Sequence, residues 1–272
     1  MNIGDLVSRK SYNSDIGFII KEIQGNHVIL SGINYRLIAD TDIHDLDSFF
    51  ISPNLNNLDT LYTPNKTLKQ SKLAETCYTS LKSASSISDK KLGLILHIDS
   101  DKVYLKRCID LYKKFGVKAI GFNIPEKKQP FEILDLLKIY NPNILILTGH
   151  DALAKDTLDS TDINNYKNSK YYVESAKIAR HYNKNYDDLV IFAGGCQSYY
   201  EEIMNAGANF ASSPNRVLIN VTDPVYLAYK FASTSIRDFL DIDTIFNKSK
   251  SSIGDIGGVE TRGQCRNAKP FF

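Results

Sequence analysis

The sequence predicts a mixed α/β protein: a three-layer domain built on a parallel sheet, preceded by a small antiparallel β-barrel. Three observations carry this. From Leu92 onward, short apolar runs alternate with amphipathic helical stretches, the pattern of a parallel sheet with right-handed crossovers and helices on both faces. Residues 1–48 instead alternate brief β-prone runs with glycine-bearing breaks, as short strands with tight turns require. Between them, residues 49–91 lose both periodicities and collect Pro53, Pro64 and an Asn- and Ser-rich polar composition. The expected divisions are therefore a barrel over 1–48, a linker with one short helix over 49–91, an α/β domain over 92–247, and a C-terminal tail over 248–272.

In the first part, strands are expected at Asp5–Arg9, Gly17–Ile23, His27–Ser31 and Tyr35–Ala39. Four or five such strands suit an SH3-like barrel, a fold that does not by itself choose a partner. The linker helix is expected near Thr67–Lys82. In the α/β part, Leu92–Ile98 reads as a buried strand. Lys102–Phe115 follows as a helix with Leu105, Cys108, Ile109, Tyr112 and Phe115 on one face, and Gly116 ends it. Val117–Phe122 is the second strand. A helix opened by Pro130 presents Ile133, Leu134 and Leu137 and stops at Asn141-Pro142. Ile144–Thr148 is the third strand, and a long polar loop separates it from a helix near Ser169–Asn183. Leu189–Ala193 and Ala208–Ser212 are the fourth and fifth strands, with a helix between them closing at Gly207. Pro224–Phe239 is the last helix.

Composition narrows the function. The chain has 272 residues, 43% of them hydrophobic, enough to bury a real core. Its net charge is +2 and no basic stripe is interleaved with aromatics, so nucleic acid is not expected as a partner. No apolar run approaches the roughly 20 residues of a membrane span, and the N-terminus lacks a signal-peptide core. The expectation is a cytoplasmic protein without a membrane partner. Cys77, Cys108, Cys196 and Cys265 show no C-x-x-C spacing, which argues against zinc or dithiol chemistry. No metal or organic cofactor is implied. Cys108 and His97 read as core residues, His27 and His44 as surface or strand residues, and His181 as a surface one.

The informative stretch is Leu189–Ser198, LVIFAGGCQS. An apolar strand runs into small residues and then Cys196, a thiol at a strand-to-helix turn near N–H groups that favour the thiolate. Ile144–Asp151, ILILTGHD, repeats the grammar with His150. Adjacent parallel strands lie about 4.8 Å apart, so the two side chains would emerge together at the carboxyl edge, where such sheets bind ligands. That defines a Cys/His dyad, Cys196 as nucleophile and His150 as base. The backbone N–H groups of Cys196 and Asp151 are the candidate oxyanion donors. Asp99 and Asp101, after the first strand, share this rim. As carboxylates they suit a basic substrate side chain, although aspartate also commonly caps a following helix.

His150 stands 46 residues before Cys196, close to the spacing of about 50 in caspase-type peptidases. Those enzymes also carry both residues just after buried parallel strands, but with glycine where Asp151 stands. A longer likeness spans nearly the whole chain. GDLVSRKSYNSDIGFII, GHDAL, FAGGCQSYYEEIMNAGANFASSPNR and GGVETRGQC together resemble the YabG family, the sporulation-specific cysteine peptidases of spore-forming Firmicutes. The resemblance implies Cys196 as nucleophile and His150 as base, on the caspase- or flavodoxin-like parallel sheet that the alternating strands and helices predict. It implies spore coat and cortex-related proteins as substrates, cleaved after Arg or Lys, in the mother-cell cytoplasm or the coat.

Other readings stay open at this level. A thiol acyl-transfer enzyme acting on a non-peptide amide would use the same pair. A structural spore-coat protein binding through the barrel would need neither residue. A receiver-like module is disfavoured, because no lysine follows the fifth strand and no glycine-rich phosphate loop is present. The ending GGVETRGQCRN suits a lid, a segment beside the active site, a self-cleavage site or a disordered tail.

Overall fold

The computed structural model describes residues 1–49, 77–79, 90–154, 159–246 and 256–267. The chain divides into two units, Met1–Glu75 and Thr76–Phe272. In the first, β1 (Leu6–Arg9), β2 (Phe18–Gln24), β3 (His27–Gly32), β4 (Ile38–Asp42) and β5 (Leu46–Ser48) form one antiparallel sheet in the order β4-β3-β2-β1-β5. Side chains at alternate positions share a face, and Val7, Phe18, Ile20, Val28, Leu30 and Leu46 gather into this unit's core. Gly25, at φ 62°, makes the two-residue turn between β2 and β3, where a positive φ matches the strand twist. The fourth strand starts at Ile38, later than the Tyr35 expected. The Gly32 N–H donates to the Leu37 carbonyl at 2.8 Å, which holds the residues between them in a loop.

The second unit contains β6 (Cys77–Thr79), β7 (Lys90–Lys91), β8 (Ile95–Asp99), α1 (Lys102–Phe115), β9 (Ala119–Asn123), α2 (Gln129–Tyr140) and β10 (Ile144–Thr148). Then come α3 (Ser169–Tyr182), β11 (Val190–Ala193), α4 (Tyr200–Asn205), β12 (Phe210–Ser212) and α5 (Asp223–Ser233). The chain closes with β13 (Phe239–Leu240), α6 (Ile242–Phe246), β14 (Ile256–Gly258), β15 (Thr261–Arg262) and β16 (Arg266–Asn267). The helix expected near Thr67–Lys82 lies mostly outside the described residues. Its described part, Cys77–Thr79, is instead the edge strand β6, antiparallel to β9.

The seven-stranded sheet runs β14-β12-β11-β10-β8-β9-β6. Its five inner strands are parallel, and β6 and β14 pair antiparallel at the edges. In chain order the parallel strands read 2-1-3-4-5, a doubly wound sheet whose order reverses between β8 and β10. Ligands bind outside such a switch point. Helices cover both faces, so the inner strands are mostly apolar, with His97 and Asp99 on β8 and Thr148 on β10 among the buried exceptions. Ile95, Ile144, Ile146, Val190 and Phe192 pack on the face that takes α1 and α5. Leu96, Ile98, Leu145, Leu147 and Ile191 pack on the face that takes α2 and α3.

Local signals set the helix limits. The Asp101 carboxylate accepts from the Val103 and Tyr104 N–H groups at the start of α1, and Gly116 ends it at φ 73°. The last long helix, expected to reach Phe239, stops at Ser233. Thr234 and Ile236 there exchange backbone hydrogen bonds with Cys265, so the C-terminal segment claims the chain that would have continued the helix. Within the segment set apart as a tail, β14 lies on the central sheet, β15 pairs with β13 and β16 with β7. Thr261, Gln264 and Cys265 are buried.

Candidate active site

Strands β10 and β11 pair in register from Ile144↔Val190 to Leu147↔Ala193, so the turns that follow them leave the sheet side by side. The first carries Gly149, His150 and Asp151; the second carries Gly194, Gly195 and Cys196. Gly194 has φ 119°, a conformation that needs glycine. At Gly195 the reason is contact. A Cβ there would stand 2.6 Å from the Gly149 carbonyl oxygen and 3.2 Å from the Asp151 nitrogen. The backbone of the cysteine turn thus rests directly on the backbone of the histidine turn. Gly149 is hemmed in likewise, since its Cβ would meet Glu126 Oε1 and Ser100 Oγ, each at 2.5 Å.

His150 is anchored by its backbone and its ring. Its N–H donates to Glu126 Oε1 at 2.7 Å, an oxygen that also accepts from Ser100 Oγ at 2.6 Å. Its carbonyl accepts from Asn168 Nδ2 at 2.7 Å. Nε2 of the imidazole faces Asp101 Oδ2 at 3.2 Å, and the Tyr104 ring lies 5.8 Å away. The His150 and Asp101 side chains keep 20% and 18% of their surface, so the pair sits at the margin of solvent.

Asp151 turns its carboxylate inward. Oδ1 accepts from the Ala152 and Asn168 N–H groups at 2.9 and 2.7 Å. Oδ2 accepts from Ser169 Oγ at 2.6 Å and Ser198 Oγ at 2.8 Å. Ser198 Oγ accepts in turn from the Gly195 N–H, and Ser169 Oγ from the Tyr199 N–H, both at 2.8 Å. One side chain therefore ties the histidine turn, the start of α3 and the cysteine turn together. Burial pushes its carboxyl above the usual aspartate range, against the opposing pull of those hydrogen bonds.

Cys196 is 1% exposed, and its thiol donates to the Ile219 carbonyl at 3.9 Å. The helix after it differs from expectation: α4 begins only at Tyr200 and spans six residues, so the thiol does not sit in a helical first turn. Ser198 closes the intervening turn instead. The Gln197 N–H donates to the Val217 carbonyl and to Ser213 Oγ, each at 3.1 Å. Among the described residues, six non-glycine positions have positive φ, and Gln197, Ser213 and Arg216 are three of them. Such conformations cost of order 1–3 kcal/mol each and persist where surrounding contacts over-determine them. Arg216 supplies some of those contacts. It bonds Glu201 and the Tyr166 hydroxyl, and it lies over the stacked Tyr166 and Tyr199 rings.

Asp99 is fully buried. Its Oδ2 accepts from Thr148 Oγ1 at 2.7 Å, and its Oδ1 from the Asp101 N–H at 2.8 Å. Thr148 Oγ1 lies 2.9 Å from His97 Nε2, and His97 Nδ1 lies 3.1 Å from the Tyr112 hydroxyl. With the threonine proton given to Asp99, His97 donates from Nε2 and accepts at Nδ1. Thus Cys196, His150, Asp151 and Asp101 come together at one edge, while Asp99 braces them from the interior. Glu126, Ser100, Asn168, Ser198 and Arg216 were missed by sequence reasoning. They are polar loop or turn residues with long-range partners, and spacing carries no trace of such pairing. Among the described residues no group of three or more His, Cys, Asp or Glu is placed to hold a metal ion, and no helix is long and apolar enough to cross a membrane.

Fold and rim together define a doubly wound α/β protein with a thiol-bearing turn and an imidazole-bearing turn side by side at its ligand-binding edge. Comparison with known proteins gives the family. A sequence model of the YabG peptidase U57 family matches residues 2–270. The sporulation-specific protease YabG of Bacillus subtilis (strain 168) is 38% identical over 285 residues, covering 99% of this chain and 98% of that protein. The chain belongs to the YabG peptidase family, U57. No solved structure matches it.

Proposed function

We propose that the protein is a cysteine endopeptidase of sporulation, with Cys196 as nucleophile and His150 as base. The observation that carries this is the seating of Gly195 on the Gly149–Asp151 backbone. It sets the two turns together at the carboxyl edge of a sheet, in a chain of a peptidase family. In the reaction, Cys196 gives its proton to His150, and the sulfur attacks the scissile carbonyl carbon. The carbonyl electron pair moves onto oxygen, which the main-chain N–H groups of Cys196 and Asp151 hold. Collapse of this intermediate breaks the C–N bond, and the imidazolium proton passes to the leaving amine. His150 then takes a proton from water, which attacks the thioester, releases the acid and restores the thiol. Cys196 is buried and its thiol donates to the Ile219 carbonyl, so local opening around the sulfur precedes attack on a peptide.

The substrates in this reading are spore coat and cortex-related proteins, supported by the relative's name as a sporulation-specific protease. The site of action is the mother-cell cytoplasm or the coat. Cleavage falls after Arg or Lys. Of the two aspartates considered for the basic side chain, Asp101 keeps solvent-facing surface and Asp99 acts only from behind it. The N-terminal sheet, whose β5 returns to pair with β1, is read as an SH3-like barrel. The test is cleavage of a mixed peptide library by wild type, Cys196→Ala and His150→Ala, with a small thiol alkylator and a glutamine-amide substrate as controls. Cleavage after Arg or Lys, lost in both variants and blocked by alkylation, supports the reading. Peptide cleavage that survives Cys196→Ala moves the active site elsewhere. Turnover of the amide alone assigns acyl transfer.

A further inference from the structure

We propose that Asp101 is a third member of this site: a positioning residue whose Oδ2 holds the His150 imidazole by Nε2, so that Nδ1 exchanges the proton with Cys196. The proposal rests on the Cys196–His150 reading above.

The two carboxylate oxygens of Asp101 have separate tasks. Oδ1 accepts from the Val103 and Tyr104 N–H groups at 2.8 and 3.2 Å, and so caps α1. Oδ2 lies 3.2 Å from His150 Nε2. The backbone of Asp101 is itself held, because its N–H donates to Asp99 Oδ1 at 2.8 Å. Asp99 in turn is locked in the interior by Thr148 at the end of β10. The aspartate and the histidine are thus fixed from the two strands, β8 and β10, that flank the switch point. Helix α1 gives the carboxylate a rigid mount, and the Glu126 and Asn168 bonds do the same for the histidine backbone.

A carboxylate facing Nε2 selects the tautomer with hydrogen on Nε2, which leaves the Nδ1 lone pair to receive a proton. When the thiol proton arrives at Nδ1, the ring becomes an imidazolium beside a carboxylate, and opposite charge at this range favours it. The Nε2 proton stays in its hydrogen bond throughout, and Asp101 remains ionised. Among the described residues, Asp101 faces the ring and Tyr104 lies beside it, both from the start of α1; Glu126, from the turn before α2, takes the His150 N–H, and Asp151 and Cys196 stand in the flanking turns. Glu126 Oε1 already accepts from Ser100 and the His150 backbone, and Asp151 accepts four other donors.

Two substitutions separate positioning from capping. In Asp101→Asn the amide oxygen must face the Val103 and Tyr104 N–H groups, which turns the NH₂ donor toward Nε2. Nε2 then has to accept, Nδ1 carries the hydrogen, and the base has the wrong tautomer. Asp101→Ser keeps an adequate helix cap but is too short to reach the ring. Both variants are assayed with Cys196→Ala alongside, on peptides with Arg or a neutral residue before the scissile bond. The expected result is a kcat lowered on the order of 100-fold in Asp101→Asn, with KM within about twofold on both peptides. In Asp101→Ser the acid limb of the kcat/KM profile, which reports protonation of the free base, should move down by about one pH unit, as the imidazolium loses its carboxylate. Both variants should remain folded, with Asp101→Ser showing only the modest, pH-dependent stability deficit that follows from losing the His150 hydrogen bond.

A kcat within threefold of wild type in Asp101→Asn, or an unmoved acid limb in Asp101→Ser, overturns the positioning role alone. A rise in KM confined to the Arg peptide also overturns it and assigns Asp101 to substrate binding. If Asp101→Asn does not fold, Asp101→Ser decides by its pH profile. Full cleavage by Cys196→Ala defeats the underlying dyad, and this proposal with it.

Discussion

Replacing Gly195 by alanine should damage catalysis out of proportion to its effect on the fold. The added Cβ would stand 2.6 Å from the Gly149 carbonyl oxygen, a backbone atom that cannot rotate away, and 3.2 Å from the Asp151 nitrogen. Gly195 is not among the positive-φ glycines, so the backbone conformation suits alanine and the penalty is purely steric. Restoring ordinary contact requires the cysteine turn to lift from the histidine turn by roughly 0.8 Å, and misplacement of about 1 Å at a reacting group costs on the order of 100-fold in rate. A loss of about 10- to 100-fold in kcat/KM is therefore expected, together with about 1–3 kcal/mol of stability from overpacking. The assay is steady-state cleavage of a peptide selected from the library, paired with urea unfolding. Ile133→Val, on the buried face of α2, is the control, because it should cost about 0.5–1.5 kcal/mol without touching the site. If Gly195→Ala kept kcat/KM within twofold of wild type, the two turns would not depend on this contact. A loss no greater than its unfolded fraction explains would count equally against the reasoning.

Two further outcomes follow from the same structure. Arg180 is 9% exposed and donates to the Asn183, Asn185, Leu189 and Gly207 carbonyls and to Asn209 Oδ1. Arg180→Leu should lower unfolding free energy by about 3–5 kcal/mol, because it strands buried acceptors; a loss below about 1 kcal/mol in denaturant titration would refute that assignment. At Asp101, burial opposes the charge, but hydrogen bonds from His150 and the Tyr104 N–H hold the carboxyl below its ordinary 3.8. A lowered folded-state value gives stability that is present above pH 3.8 and lost as pH falls through the folded value. The stability gap between wild type and Asp101→Ser should therefore be full near neutral pH and shrink in acid. A gap constant from pH 7 to about pH 3 would contradict the ion pair.

Much of the architecture was legible because it rests on short-range signals. Residues 144–147 and 190–193 are apolar at every position because helices cover both faces of the sheet. Asp101 and Gly116 bracket α1 because an aspartate side chain satisfies first-turn N–H groups and a glycine accepts positive φ. The small residues before Cys196 marked a close backbone approach, and His150 stood at the matching place after its own strand. What they approach was not legible, since the register of β10 on β11 is a property of the sheet.

By itself, then, the sequence determined where the parallel strands and their helices lie, that Cys196 and His150 follow strands of like character, and that the chain is of the YabG kind. Only the tertiary structure decided the rest. It ended the last long helix at Ser233, where a segment some thirty residues further on competes for the backbone. It turned Asp99 inward and left Asp101 at the margin, although the two are near neighbours in the chain, because Thr148 from the adjacent strand engages one and His150 the other. It also recruited Glu126, Asn168 and Ser198, whose partners lie 17 to 47 residues away. Periodicity, caps and turn residues act within a turn or two of the chain. The geometry around His150 depends on which strands become neighbours across the switch point, and that is settled only when the whole sheet assembles.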